Sequence, residues 1–128
     1  MALDDIAPSD VDEFVRQVDL IVHERGGLWE PLTPSTVVLS DRAEVHGPWP
    51  VAACSQLLTR WLDAGFIGIF RVESAVAEAV DLSVDEARDV LADPTAWRPA
   101  LGLYLFPTAE GENAPVEEWR AVVGDMSA

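Results

Sequence analysis

Apolar residues recur at helical spacing in four stretches of the chain. The first predicted helix spans residues 10–25, where one helical face collects Val11, Phe14, Val15, Val18, Ile21 and Val22. Asp10 and Glu13 have the spacing of a capping box at its start. Gly26-Gly27 follows the last apolar position and is expected to end the helix.

The same spacing predicts three further helices, over residues 51–64, 83–92 and 115–123. Gly65 stands where a left-handed residue commonly ends a helix. Ser83 and Glu86 have the spacing of a second capping box.

Runs of aromatic and β-branched residues predict strands over 36–39, 66–72 and 101–106. The last two are expected to pair as a hairpin, with the helix at 83–92 inserted in their connection. The chain therefore predicts an α+β fold, a small single domain over residues 1–128 with about four helices and a short antiparallel hairpin or sheet.

The balance of charge changes the functional picture. The chain has 23 acidic residues against 8 basic ones, all of them arginine, and a formal net charge of −15. Nucleic-acid affinity comes largely from cationic side chains that neutralise phosphates, so this charge disfavours nucleic acid and favours a basic protein partner.

Cysteine content and hydropathy bear on the compartment. A single cysteine, Cys54, excludes an intrachain disulfide and fits a reducing environment. The first residues lack the pattern of a secretory signal, and no apolar run approaches the ~20 residues that span a bilayer. We therefore expect a cytoplasmic protein with no membrane association, and its state as monomer or homodimer stays open.

The order of elements from about residue 50 to 111 resembles a winged helix-turn-helix. The resemblance is carried by the stretches LLTRWLDAGFIGIFRV and LGLYLFPTAEGE, which give a helix, a strand and a return strand. It implies that the helix at 51–64 is a recognition helix, with possible DNA contacts at Ser55, Gln56, Thr59 and Arg60.

The region that would form the wing argues against DNA binding. Between residues 73 and 93 one base, Arg88, faces seven acids: Glu73, Glu78, Asp81, Asp85, Glu86, Asp89 and Asp93. These carboxylates would repel phosphates.

No recognisable catalytic, cofactor-binding or metal-binding motif occurs in the sequence. His23 and His46 lack the spacing of metal ligands, and no nucleophile elbow, phosphate loop or dinucleotide fingerprint is present. Cys54 could be an activated thiol near a helix start, but its apolar neighbours favour a buried core position. We therefore expect a protein that is not an enzyme and needs no cofactor.

Two of the five tryptophans are predicted to lie at a surface, where tryptophan often contributes most of the binding energy. These are Trp49, between two prolines, and Trp97; alternatively, each clamps its own loop onto the core. The acidic interface candidates are Asp85, Glu86, Asp89 and Asp93.

The leading hypothesis is a non-enzymatic acidic module that binds a basic protein, like an immunity protein, an antitoxin or a DNA mimic. One alternative is a winged-helix transcriptional regulator, which requires Arg60, Arg71, Arg88 and Arg98 to share one face. Another is a small enzyme or enzyme subunit with a pocket that the sequence hides. The charge could also serve solubility alone.

Overall fold

The computed structural model describes residues 6–72 and 78–126. Its helices are α1 (Val11–His23), α2 (Val51–Asp63), α3 (Val84–Ala92), α4 (Ala109–Asn113) and α5 (Val116–Met126). Its strands are β1 (Ser35–Val38), β2 (Ala43–His46), β3 (Ile67–Arg71), β4 (Val80–Asp81) and β5 (Leu103–Pro107). The buried apolar residues form one core, which confirms a small single-domain α+β protein.

A three-stranded antiparallel sheet in the order β4-β3-β5 organises the fold. Strands β3 and β5 pair as predicted, and α3 lies in the connection between them. Residues 26–28 run beside the outer edge of β5, where Gly27 forms an antiparallel bridge with Tyr104. The Leu28 N–H donates to the Leu103 carbonyl oxygen at 3.0 Å. The sequence pattern did not predict β4, or β2 as the partner of β1.

Alternation along the strands separates two different faces of the sheet. Ile67 and Ile69 on β3, and Leu103 and Leu105 on β5, are buried beneath the helices. The intervening positions carry Gly68, Phe70, Tyr104 and Phe106, which are only half-buried. One sheet face is therefore aliphatic and covered, whereas the other is largely aromatic and partly open.

Helix α2 is the centre of the helical layer. It packs against α3 and α5 and contributes six buried residues to the core: Ala53, Cys54, Leu57, Leu58, Trp61 and Leu62. Trp61 meets Trp119 of α5 edge to face, with ring centroids 4.9 Å apart, and its indole N–H donates to the Trp119 carbonyl oxygen. These contacts fix α5 against the core.

The predicted capping box of α1 is wrong. A 3₁₀ turn, Pro8–Asp10, leads directly into the helix and gives Asp10 helical angles, so its side chain makes no cap hydrogen bond. Glu13 instead accepts hydrogen bonds from Arg16 and Gln17. After α1 the left-handed residue is Arg25, with a φ of 58°, and the Gly26 N–H donates to the Ile21 carbonyl oxygen.

Other helix-end predictions are confirmed. Gly65 has a φ of 83° after α2, and the Ser83–Glu86 capping box is present in both directions at α3. In the last helix Trp119 is buried, whereas Val116 is 59% exposed. The prediction also missed the short helix α4, in which Thr108 accepts a hydrogen bond from the Gly111 N–H.

Across residues 6–72 and 78–126, no helix is both long enough and apolar enough to cross a membrane.

Candidate protein-binding surface

The outer face of α3 carries a row of carboxylates. Asp85 and Asp89 lie four residues apart on this face, and Asp93 follows directly after the end of the helix. All three are exposed, and the Asp85 side chain is 93% exposed. Ala87 and Leu91, on the opposite side of the helix, are buried in the core. Helix α3 is therefore held by its apolar face and presents its acids to solvent.

Two of the four predicted acidic residues also hold local structure. Glu86 accepts a hydrogen bond from the Ser83 N–H at 3.0 Å, and the hydrogen bonds with Ser83 lower the pKa of its carboxyl group. Asp93 accepts hydrogen bonds from the Thr95 hydroxyl at 2.5 Å and the Thr95 N–H at 3.2 Å. These two carboxylates cap the start of α3 and the 3₁₀ turn that follows it.

Asp85 and Asp89 remain as the acids whose removal leaves those caps intact. Arg88 lies between them on the chain and forms ion pairs with Asp63 at 2.6 Å and with Asp85 at 3.3 Å. Residues 78–93 hold six acids and this one base, and Glu73 of the predicted cluster lies outside the described residues. Because Arg88 is paired with Asp63, its positive charge only partly offsets the carboxylates on the outer face of α3.

The two predicted surface tryptophans differ. Trp97 is only 2% exposed and its indole N–H donates to the Val90 carbonyl oxygen, so it clamps its loop onto the core and its predicted surface position is wrong. Trp49 is half-buried, with its ring 5.3 Å from that of Phe14. Only Trp49 keeps some accessible surface for an interface.

The predicted DNA contacts on α2 are largely enclosed by neighbouring elements. The Ser55 hydroxyl donates to the Leu91 carbonyl oxygen at 2.6 Å, which ties it to α3. Gln56 and Thr59 are half-buried, and Arg60 alone of the four is exposed. A recognition helix must project into the major groove, whereas α2 packs against α3 and α5 and leaves only Arg60 of these four residues exposed.

The arginines required by the regulator hypothesis lie on different elements. Arg71 ends β3, where it lines a shallow apolar groove of about 320 Å³, and Arg88 is paired on α3. The Arg98 side chain donates to the Thr95 carbonyl oxygen in its own loop. Arg71 contributes to lowering the pKa of the Glu86 carboxyl group, and Arg88 is paired with Asp63, so both arginines lie close to carboxylates.

A small cleft of about 230 Å³ between α1 and α5 combines an acid, a base and two aromatic rings, because it is lined by Asp19, Trp61, Trp119 and Arg120. Burial raises the pKa of Asp19, opposed by His23, whose Nδ1 lies 3.0 Å from the carboxylate. Both indole N–H groups donate to backbone carbonyls within the fold. The cleft is smaller than a usual ligand pocket, and no metal-binding cluster occurs in the described part of the chain.

Cys54 is fully buried, and this burial raises the pKa of its thiol to about 12. The thiol therefore stays protonated near neutral pH, which agrees with a core position and disagrees with an activated nucleophile.

In the folded protein we expect Ellman's reagent at pH 8 to react with the Cys54 thiol at least about a hundredfold more slowly than in denaturant. Comparable rates in the two conditions would contradict this assignment.

Four residues that were not predicted to act together, Trp29, Phe70, Tyr104 and Phe106, form the aromatic face of the sheet. The Phe70 and Tyr104 rings are stacked at 5.3 Å, and Trp29 meets Tyr104 edge to face at the same distance. All four residues are half-buried. Aliphatic residues alternate with glycine or aromatic residues over residues 67–70 and 103–106, and this alternation is the signal that could have revealed the face.

The chain matches no protein-family model, no curated protein and no solved structure. Its function is therefore argued from its own surfaces.

Proposed function

We propose that this protein is a non-enzymatic binding module that docks onto a basic protein through the acidic outer face of α3. The observation that carries the proposal is the exposed pair Asp85 and Asp89 on a helix anchored by its opposite face, with Asp93 exposed directly after its end. A rigid element that presents carboxylates at fixed spacing needs little ordering when it meets a cationic surface.

The charge of the whole chain supports the same partner class. A net charge of −15 attracts a cationic protein over a distance comparable to the Debye length, about 8–10 Å at ordinary ionic strength. Such attraction raises association rates, and like-charge repulsion discourages acidic partners.

A partner of this kind has a basic site built for phosphates, such as that of a nuclease or another nucleic-acid-binding protein. Carboxylates on α3 would occupy that site in place of phosphates, which is the physical principle of immunity proteins, antitoxins and DNA mimics. We place this activity in the cytoplasm, in agreement with the single buried cysteine.

The test begins with capture of the partner from host lysate at low salt and its purification. We expect the association rate with this partner to fall at least roughly tenfold between about 20 and 200 mM salt. The double variant Asp85→Asn/Asp89→Asn should slow association severalfold without changing the thermal midpoint much, because the capping residues Glu86 and Asp93 are retained.

The matched control is Glu117→Gln/Glu118→Gln, which removes the same charge from exposed positions on α5. It should slow association less than the α3 variant does. Salt-independent association, or equal effects of the two double variants, would contradict docking through α3.

A further inference from the structure

We propose that the aromatic face of the sheet binds an arginine side chain of the basic partner. The proposal rests on the proposed function and adds a second, chemically distinct contact to it. It assigns guanidinium recognition to the half-buried rings and to Asp81, the exposed carboxylate at their edge.

The sheet register places these groups in one row. Gly27 is opposite Tyr104, Tyr104 is opposite Phe70, and Phe70 is opposite Asp81. Residues opposite one another on antiparallel strands project from the same face, about 5 Å apart. The stacked rings of Tyr104 and Phe70 and the carboxylate of Asp81 therefore follow one another across one face of the sheet.

Glycines let two of the rings lie against the sheet. A Cβ atom at Gly68 would overlap the Phe106 ring, and one at Gly27 would overlap the Trp29 ring. Both rings thus cover the backbone of a glycine on the aromatic face.

Arginine is the side chain that fits this combination of groups. Its planar guanidinium stacks on aromatic faces, and its N–H groups can donate at the same time to a carboxylate such as Asp81. Lysine carries the same charge but cannot stack in this way. A second copy of the chain is disfavoured as occupant, because two molecules of charge −15 would repel each other.

Octa-arginine and octa-lysine, two peptides of equal length and charge, test the proposal by calorimetry at about 100 mM salt. The wild-type protein should bind octa-arginine about two- to fivefold more tightly than octa-lysine. Phe70→Leu and Tyr104→Leu should each reduce this preference, whereas Asp85→Asn/Asp89→Asn should weaken both peptides together. Trp49→Leu, a half-buried aromatic elsewhere, should leave the preference unchanged.

Circular dichroism first confirms that each variant is folded. If a leucine variant does not fold, Asp81→Asn is tested in its place, because Asp81 is exposed. This variant should also reduce the preference for octa-arginine. If both peptides bind and the preference for octa-arginine is the same in the wild type and in every ring variant, the arginine site is overturned and the proposed function still stands. Failure of both peptides to bind would count against the proposed function itself. A dimer in sedimentation that the ring variants dissociate would assign the face to a second copy and overturn the proposal.

Discussion

Trp61→Ala should lower the free energy of unfolding by about 3–5 kcal/mol. Its indole is fully buried, meets Trp119 edge to face and donates a hydrogen bond to the Trp119 carbonyl oxygen. Alanine would leave a cavity between α2 and α5 and would remove this hydrogen bond between the two helices. A loss of this size is a large part of the roughly 5–15 kcal/mol available to a small domain.

Urea denaturation followed by circular dichroism measures this loss. Trp49→Ala is the matched control, because Trp49 is half-buried and should cost less. If the alanine variant does not fold, Trp61→Phe keeps a ring in the site and should still cost about 1–2 kcal/mol through the lost hydrogen bond and volume. Equal losses at Trp61 and Trp49 would contradict the central position of α2.

Gly111→Ala should destabilise the protein by roughly 1–3 kcal/mol, although alanine usually stabilises a helix relative to glycine. Gly111 lies inside α4 and is buried. The added Cβ would overlap the backbone carbonyl of Phe66, which cannot rotate away as a side chain would. Helix α4 would have to separate from the loop before β3, where the Thr108 hydroxyl donates to the Gly65 carbonyl oxygen.

Thermal and urea unfolding measure the free energy of unfolding of Gly111→Ala and of the control variant Asn113→Ala. Asn113 is exposed in the same helix, so its replacement should change the free energy of unfolding by no more than about 0.5 kcal/mol. A Gly111→Ala variant as stable as wild type would show that α4 can move away from Phe66 without cost.

The acidic surface shows why charge in a sequence does not identify an interface. Asp85, Glu86, Asp89 and Asp93 are all acidic and all exposed, yet Glu86 and Asp93 are held by hydrogen bonds of their own caps. The Ser83–Glu86 spacing could be recognised from sequence because a capping box is local. The pairing of Arg88 with Asp63, 25 residues away, could not.

The sequence by itself determined α1, α2, α3, the β3–β5 hairpin and much of the buried set, because apolar periodicity and helix-ending residues act over a few neighbours. Only the tertiary structure decided that Trp97 is buried and that α2 packs against α3 and α5. It also brought Trp29 beside Tyr104 and placed Asp81 opposite Phe70. These relations depend on packing and strand register between segments far apart in the chain, which a local pattern does not encode.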